Sequence, residues 1–154
     1  MTIRPATIKD LESIKKLNSK AFVDNTLYDS DALPHFSTSK AGSNYFAEAL
    51  NRKDGCFFVA EDKGKLIGYV NGGAREFNYR QSKYFEIENL GVIPSHHRQG
   101  IGTQLLESIT QWARDHGFQK IYIESYANNI GAIAFYQHHQ YQPIDICLEK
   151  TIAD

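Results

Sequence analysis

Hydrophobic positions along this chain recur with two different periods, and these predict its helices and strands. Apolar residues three or four apart predict helices over residues 7–21, 43–52, 100–116 and 129–139. Alternating or continuous apolar runs predict strands over residues 2–6, 56–61, 65–75, 84–93, 120–126 and 141–151. Residues 22–42 and 76–83 show neither period, so we expect loops there.

The order of these elements predicts the fold class. Strands with short connections come first, and strand–helix units follow. Because a helix separates residues 84–93 from residues 120–126, these two strands are expected to be parallel neighbours. We therefore predict a single domain over residues 1–154 with an α/β (α+β) fold, in which helices flank a mixed sheet.

Residues 88–106 contain a strand end, a polar loop and the start of a helix. The loop follows Pro94 and ends on Gly100 and Gly102, where the helical pattern begins. The first backbone N–H groups of a helix have no intrahelical acceptor, and the helix dipole adds positive charge there. Glycines let a bulky anion approach the backbone, and Arg98 adds a formal charge. Residues 97–103 are therefore predicted to bind a phosphate group.

Two familiar phosphate-binding motifs fit these glycines poorly. A dinucleotide fingerprint needs a third glycine where this chain has Leu105, and a P-loop needs a lysine before Thr103. A tight strand-to-helix turn without any ligand would also use Gly100 and Gly102, so the spacing alone leaves that structural interpretation open.

A family pattern fits the whole stretch better. Residues 90–106 resemble the acyl-CoA-binding motif of the GNAT superfamily of N-acetyltransferases, which reads Leu-x-Val-x-Pro, then Arg/Gln-x-x-Gly-x-Gly/Ala and two leucines. The matching residues are Leu90, Val92, Pro94, Gly100, Gly102, Leu105 and Leu106. The chain departs from the motif at His97, where the family usually has Arg or Gln, although an imidazole can still donate one hydrogen bond.

A second stretch resembles the same family. Asn129, Ala132 and Tyr136 fit the GNAT pattern Asn-x-x-Ala-x-x-x-Tyr, and the aromatic residue that follows is Tyr141. The chain departs from the pattern at Gln140, where the family usually has glycine. Both motifs occur in the family's order, so the resemblance covers most of the chain.

The resemblance implies a fold detail, a cofactor and a set of contacts. The two parallel strands should splay apart, and the pantetheine arm of acetyl-CoA should lie between them. The implied cofactor-binding residues are Leu90, Gly91, Val92, His97, Arg98, Gln99, Gly100, Ile101, Gly102, Thr103, Asn129, Ala132 and Tyr136. Asn129 could alternatively cap its own helix.

Two side-chain roles follow from the chemistry of acetyl transfer. The departing CoA thiolate needs a proton, and a phenol holds its proton at neutral pH, so Tyr136 is predicted to be the general acid. It could instead be a packing residue beside Phe135. An ammonium acceptor must first lose a proton, for which Glu88 is the preferred base. Glu86, Glu124 or a water relay stays an alternative, and a solvent-facing role for the carboxylates is as well supported.

Composition and charge limit the remaining possibilities. Charged residues make up 23% of the chain, apolar residues 42%, and the net charge is −1, as in a soluble globular protein. A nucleic-acid partner would normally bring a basic excess, and a membrane partner an apolar run of about 20 residues. We expect neither partner. The opening residues lack a signal peptide, which favours the cytoplasm.

Metal and disulfide chemistry are also not expected. The histidines form adjacent pairs, such as His96 with His97, whose side chains diverge, and no ligand spacing typical of a metal site occurs. No metal is therefore predicted. Cys56 and Cys147 lie in predicted strands and are expected to be buried free thiols.

The sequence thus predicts an acetyl-CoA-dependent N-acetyltransferase that acts on a primary amine by direct attack in a ternary complex. Residues 22–42 are as well explained by a plain connector as by a lid whose Asp24, Asp29 and Asp31 favour a small cationic acceptor. A protein or peptide acceptor, or a non-catalytic acyl-CoA sensor, stays an alternative. A homodimer is possible because dimers are common in the resembled family.

Overall fold

The computed structural model describes residues 1–153, which form two compact units, residues 1–124 and residues 125–153. The single domain over residues 1–154 stays a prediction. The first unit contains one five-stranded sheet with the order β1-β2-β3-β4-β5. Its strands are β1 (Thr2–Pro5), β2 (Gly55–Asp62), β3 (Lys65–Arg75), β4 (Tyr84–Val92) and β5 (Lys120–Ile123).

The pairing of these strands confirms the predicted mixed sheet. Strands β1 to β4 are antiparallel neighbours, whereas β4 and β5 are parallel. Strands β2 and β3 form a hairpin in which Asp62 pairs with Lys65. The two residues between them, Lys63 and Gly64, have φ angles of 48° and 74°, as a tight two-residue hairpin turn requires.

The helices of the first unit are α1 (Leu11–Ala21), α2 (Asn25–Tyr28), α3 (Lys40–Asn51) and α4 (Ile101–Asp115). The prediction that residues 22–42 lack regular structure was wrong, because they contain α2, a single 3₁₀ turn at Phe36–Thr38 and the start of α3. Helix α3 begins before the predicted Ser43 because Ser39 caps it, its hydroxyl accepting the Gly42 N–H at 3.0 Å.

Helices cover both faces of the sheet. On one face, α1 and α3 pack Ile14 and Phe46 against Tyr69, which is fully buried and whose hydroxyl accepts the Asn18 amide at 2.6 Å. On the other face, the ring of the α4 residue Trp112 lies 5.5 Å from that of Phe85. Each such buried apolar side chain stabilises the fold by about 1.5–3 kcal/mol.

A β-bulge interrupts the centre of β4. Asn71 of β3 pairs with Asn89, and the next residue, Gly72, pairs with Ile87, so Glu88 has no partner on β3. A Cβ atom at Gly72 would collide with the carbonyl oxygen of Glu86, which explains the glycine there. The bulge turns Glu88 and Asn89 toward the same side.

The parallel pair separates directly at this bulge. Pairing between β4 and β5 ends where Ile87 meets Ile123, and residues 88–92 continue beyond the end of β5. Strand β5 therefore ends earlier than the predicted residue 126. The outer edge of residues 88–92 is left without a strand partner among the described residues, as the expected splay requires.

The second unit contains α5 (Ile130–His138), and the described residues 141–153 that follow have no assigned helix or strand. The predicted strand over residues 141–151 was wrong, because the structure assigns no strand to the described residues after α5. Ile146 and Leu148 are 87% and 93% exposed, so the alternating apolar side chains are not buried as those of a strand in a sheet would be. Cys147 is exposed as well, which corrects the expectation of a buried thiol, whereas Cys56 is half-buried.

Candidate active site

The loop after β4 has the backbone geometry of an anion site. A 3₁₀ turn at Pro94–His96 follows the strand, and Arg98 and Gly100 then adopt left-handed φ angles of 59° and 77°. Helix α4 begins at the next residue, Ile101. A Cβ atom at Gly100 would meet nothing within 4 Å, so the left-handed backbone, and not crowding, favours glycine there.

The electrostatics of this loop favour a negatively charged ligand. The first turn of α4 contains no acidic residue, and its leading backbone N–H groups lack intrahelical acceptors. Arg98 is exposed, and the described residues provide it with no ion-pair partner. The predicted phosphate-binding residues 97–103 thus form one continuous loop and helix start, which could hold a pyrophosphate.

His97 connects this loop to the strand before it. Its Nε2 lies 2.8 Å from the carbonyl oxygen of Val92, so the ring donates to the strand end. The residue that departs from the family motif therefore links the two predicted parts of the cofactor site, the strand edge and the phosphate loop.

Glu88 lies in a polar network beneath α3. Its Oε2 accepts the Tyr45 hydroxyl at 2.8 Å and the Asn71 amide at 3.0 Å, and its Oε1 is ion-paired with Arg52. Asn89 donates to the Tyr45 hydroxyl at 2.6 Å and to the Asn71 side-chain oxygen at 3.1 Å. Each carboxylate oxygen of Glu88 thus already accepts at least one hydrogen bond.

Arg52 is held firmly in this network. Its guanidinium also donates to Asp54 at 2.8 Å and to the Ala74 carbonyl at 3.2 Å, and it lies so close to Gly73 that any Cβ there would collide with it. Burial disfavours the charged guanidinium, but the hydrogen bonds to Asp54 and Glu88 outweigh this and raise the pKa of Arg52.

Sequence reasoning missed the partners of Glu88. Asn71 is only 1% exposed, and burial raises the pKa of the Tyr45 phenol well above its usual range. An amide in the middle of an apolar strand, as Asn71 is, signals a buried polar contact, because such a group needs hydrogen-bond partners. Arg52 and Tyr45 gave no comparable signal.

Glu86, two residues before Glu88, has different surroundings. Its carboxylate contacts Arg75 at 3.3 Å, and it lies opposite Tyr122 of β5 in the register. Burial raises the pKa of Glu86. The positive charge of Arg75 lowers this pKa, and the negative charges of Glu124 and Glu88 raise it further. Glu124, the third candidate base, accepts the Tyr122 hydroxyl at 2.9 Å.

The second unit carries the second motif on α5. The Asn129 side chain accepts the Ala132 N–H at 3.1 Å, so it caps the helix, one of the two roles that the sequence left open. The ring of Tyr136 lies 5.5 Å from that of Tyr141 and 5.3 Å from that of Phe135. Burial raises the pKa of the Tyr136 phenol, which therefore keeps its proton at neutral pH.

Comparison with known proteins identifies the class to which this fold belongs, the acetyltransferases. The Acetyltransferase (GNAT) family matches residues 15–141, and the chain belongs to this family.

Relatives and a solved structure are consistent with this. Human N-acetyltransferase 8 is 31% identical over 57% of this chain and 39% of its own length. An N-alpha-acetyltransferase of Sulfolobus acidocaldarius is 24% identical over 99% and 85%. AAC(6')-Iy, in complex with the bisubstrate analogue CoA-S-monomethyl-acetylneamine, shares the fold with a TM-score of 0.76 and 17% identity, covering 99% and 98%. The chain thus spans about two fifths of the human relative's length.

Membrane spans and metal clusters are both absent from residues 1–153, the part of the chain that the structure describes. None of the helices there is both long and apolar enough to cross a membrane. The histidine, cysteine and carboxylate side chains of the same residues form no group of three that could hold a metal ion.

Proposed function

We propose that this protein is an acetyl-CoA-dependent N-acetyltransferase that transfers an acetyl group to a primary amine in a ternary complex. The observation that carries the proposal is the strand edge at residues 88–92, which extends past β5 and leads into the left-handed turn at Gly100. An unpaired strand edge can bind the amides of pantetheine, and the turn can bind the pyrophosphate. Membership of the GNAT family supports this assignment.

We propose that the residues predicted from the sequence contact the cofactor. Backbone groups of Leu90, Gly91 and Val92 would pair with the pantetheine arm. The pyrophosphate would be bound by residues 97–103, with Arg98 supplying the formal charge. The Asn129 side-chain oxygen accepts the Ala132 N–H in the cap, and we propose that its amide nitrogen donates to the cofactor.

The reaction needs three proton transfers. The amine nitrogen attacks the thioester carbonyl, so that a C–N bond forms, the C–S bond breaks and the CoA thiolate leaves. Tyr136 would protonate this thiolate, and its raised pKa suits a group that must hold its proton until then. The acceptor ammonium would first give one proton to a carboxylate of β4, and the second proton, lost from the nitrogen as the C–S bond breaks, would restore the Tyr136 phenol.

The contacts of the two carboxylates favour Glu86 for this last role. Glu88 is ion-paired with Arg52 and also accepts hydrogen bonds from Tyr45 and Asn71, so an acceptor ammonium would have to displace one of these donors to reach its carboxylate. Glu86 has a raised pKa and lies next to the point where β4 and β5 separate. Glu88 as the base stays a prediction, and glutamine variants at the two positions separate the alternatives.

The proposed acceptor is a small cationic amine, and the proposed location of the protein is the cytoplasm. Asp24 and Asp31 are exposed on the segment that holds α2. The solved neighbour AAC(6')-Iy was bound to a CoA–acetylneamine analogue. The Sulfolobus relative is named an N-alpha-acetyltransferase, which makes a peptide N-terminus the second candidate.

A thiol-release assay tests this function. Purified protein with acetyl-CoA is given a panel of aminoglycosides, polyamines and peptides, and free CoA is measured. We expect turnover with at least one small amine, and a fall of about 10²-fold or more in Tyr136→Phe. Phe135→Leu, which changes the neighbouring ring without removing a hydroxyl, is the matched control. Turnover with peptides only would overturn the proposed acceptor, and acetyl-CoA binding without any turnover would indicate a sensor.

A further inference from the structure

The guanidinium of Arg75, the last residue of β3, lies among two aromatic rings and a carboxylate. Its Cζ is 5.4 Å from the ring centroid of Phe77 and 5.8 Å from that of Tyr122. Its Nη1 lies 3.3 Å from Oε2 of Glu86, which is opposite Tyr122 in the pairing of β4 with β5. The two rings contact each other edge to face, with their centroids 5.2 Å apart. We call Phe77, Glu86 and Tyr122 together the Arg75 site.

The Arg75 site has the composition of a binding site for an organic cation. The face of an aromatic ring carries negative potential and attracts an ammonium or guanidinium group within about 6 Å. The Glu86 carboxylate adds a formal negative charge, which strengthens hydrogen bonds from a cation. Glu124, which accepts the Tyr122 hydroxyl at 2.9 Å, places a second negative charge beside the site. The site therefore favours a cationic ligand over a neutral or anionic one.

Arg75 is held weakly in this site. Its side chain is 44% exposed, and the contact with Glu86 is long for an ion pair. Ion pairs and cation–π contacts at exposed positions contribute little free energy, because water and salt screen them and the long side chain loses freedom. A cation from solution can therefore replace the Arg75 guanidinium without a large loss of stability.

The second arginine near the Phe77 ring has different contacts. Arg80 lies over this ring at 4.6 Å, but its Nη1 also donates to the Tyr84 hydroxyl at 3.4 Å. Its Cζ is 5.4 Å from the ring centroid of Tyr79. Arg80 thus fastens the connection between β3 and β4 to the first residue of β4. Arg75, by contrast, contacts the carboxylate that a cationic ligand would use.

We propose that Arg75 occupies a binding site for a primary alkylammonium ligand, which displaces the guanidinium and takes its place. The ammonium would pair with Glu86, and the alkyl chain would lie against Phe77 and Tyr122. Identifying this ligand as the acceptor amine rests on the proposed function, in which Glu86 receives the proton of the bound ammonium. The cation site itself does not depend on acetyl transfer.

An NMR titration with butylammonium, without acetyl-CoA, tests the site in the full chain. The ring-proton resonances of Phe77 and Tyr122 report binding. A site that is filled by its own side chain binds a ligand more weakly in proportion to the fraction of molecules in which it is free, so Arg75→Gln should bind about 10-fold more tightly than wild type. Arg75→Lys keeps a tethered cation and should bind about as weakly as wild type. Butan-1-ol, which has the same chain without the charge, should not compete.

Two further variants separate this site from a general charge effect. Lys83→Gln removes one positive charge from an exposed position on the same connection and should leave butylammonium binding at the wild-type level. Adding Tyr122→Leu to Arg75→Gln should abolish the gain. Binding to Arg75→Gln that is no tighter than to wild type would overturn the proposal. An equal gain in Lys83→Gln would overturn it too.

The thiol-release assay distinguishes the failure of this inference from the failure of the proposed function. Where a monoamine is turned over, Arg75→Gln should lower its KM by a factor similar to the gain in butylammonium binding. Tighter butylammonium binding without turnover of any amine would confirm the cation site and contradict the proposed acetyl transfer. Turnover without tighter binding would support the proposed function and overturn the cation site.

Discussion

The two halves of β4 place the same residue type in opposite surroundings. On the side covered by α3, Glu88 is fixed by Arg52, Tyr45 and Asn71. Two residues earlier, Glu86 is ion-paired only with Arg75 among the described residues, at 3.3 Å, and its pKa is raised. A carboxylate surrounded by donors holds structure together, whereas one that is partly desolvated and weakly paired can exchange a proton.

The β-bulge explains why the two residues differ. Glu88 is the extra residue of β4, so its side chain is aimed at α3 together with that of Asn89. Glu86 stays in the regular pairing and lies opposite Gly73 and Tyr122. We therefore propose that proton chemistry and structural support are separated along this one strand. Variants at the two positions test this contrast.

The largest expected effect is on turnover in Glu86→Gln. Removing a general base lowers the rate by about 10²–10⁴-fold. The wild-type rate should rise with pH as Glu86 loses its proton, and this rise should disappear in the variant. Glu88→Gln is the control and should keep the rise. If the rise with pH disappears in Glu88→Gln and persists in Glu86→Gln, then Glu88 is the base, as the sequence predicted.

The next effect is on stability in Glu88→Ala. The change leaves Arg52 without its ion-pair partner and removes the acceptor of Tyr45 and Asn71. We expect the free energy of unfolding to fall by about 2–3 kcal/mol, measured by urea denaturation. Glu86→Ala, which removes one long contact, should cost less than half as much. Equal losses at both positions would contradict the contrast.

A smaller effect is expected for Gly73→Ala. The added methyl group displaces the guanidinium of Arg52, which lies against this glycine and can move because its side chain is flexible. We expect a loss of about 1 kcal/mol, since the contact to Glu88 weakens without disappearing. Combining Gly73→Ala with Arg52→Met should add almost nothing to the loss in Arg52→Met alone. Additive losses would show that Gly73 acts independently of Arg52.

The smallest effect is a pH dependence of stability. Burial makes the folded state disfavour the charged form of Glu86, so its pKa is higher in the folded than in the unfolded chain. Stability is then lost as pH rises through the unfolded and then the folded pKa. Glu86→Gln should therefore raise the unfolding midpoint at neutral pH and leave it nearly unchanged well below the usual carboxylate range. A midpoint difference that grows in acid has the wrong sign for this account.

The sequence was sufficient where the determinants of structure are local. The strand end, the glycine pair and the helix start of residues 88–106 lie in one short stretch, so their order alone predicted the loop around the left-handed Gly100. The contacts of Glu88 could not be predicted, because they depend on a bulge set by pairing with β3 and on Arg52 beyond the end of α3.

The strand prediction for the segment after α5 failed for a related reason. Alternation of apolar residues at 144–148 describes a strand that has a partner, and no local pattern states whether its own chain provides one. The start of α3 was missed because Ser39, a good cap, lies outside the apolar period that marked the helix.

The most direct test of the central claim, that the loop after β4 binds acetyl-CoA, is the thermal unfolding midpoint with and without this ligand. At about 100 times its Kd, a ligand that binds only the folded state contributes about 2.7 kcal/mol. For a domain of this size we expect the midpoint to rise by several degrees, and to rise less in Arg98→Ala. No rise at saturating concentrations would mean that Gly100 and Gly102 serve only the strand-to-helix turn, and it would contradict the proposed acetyl transfer.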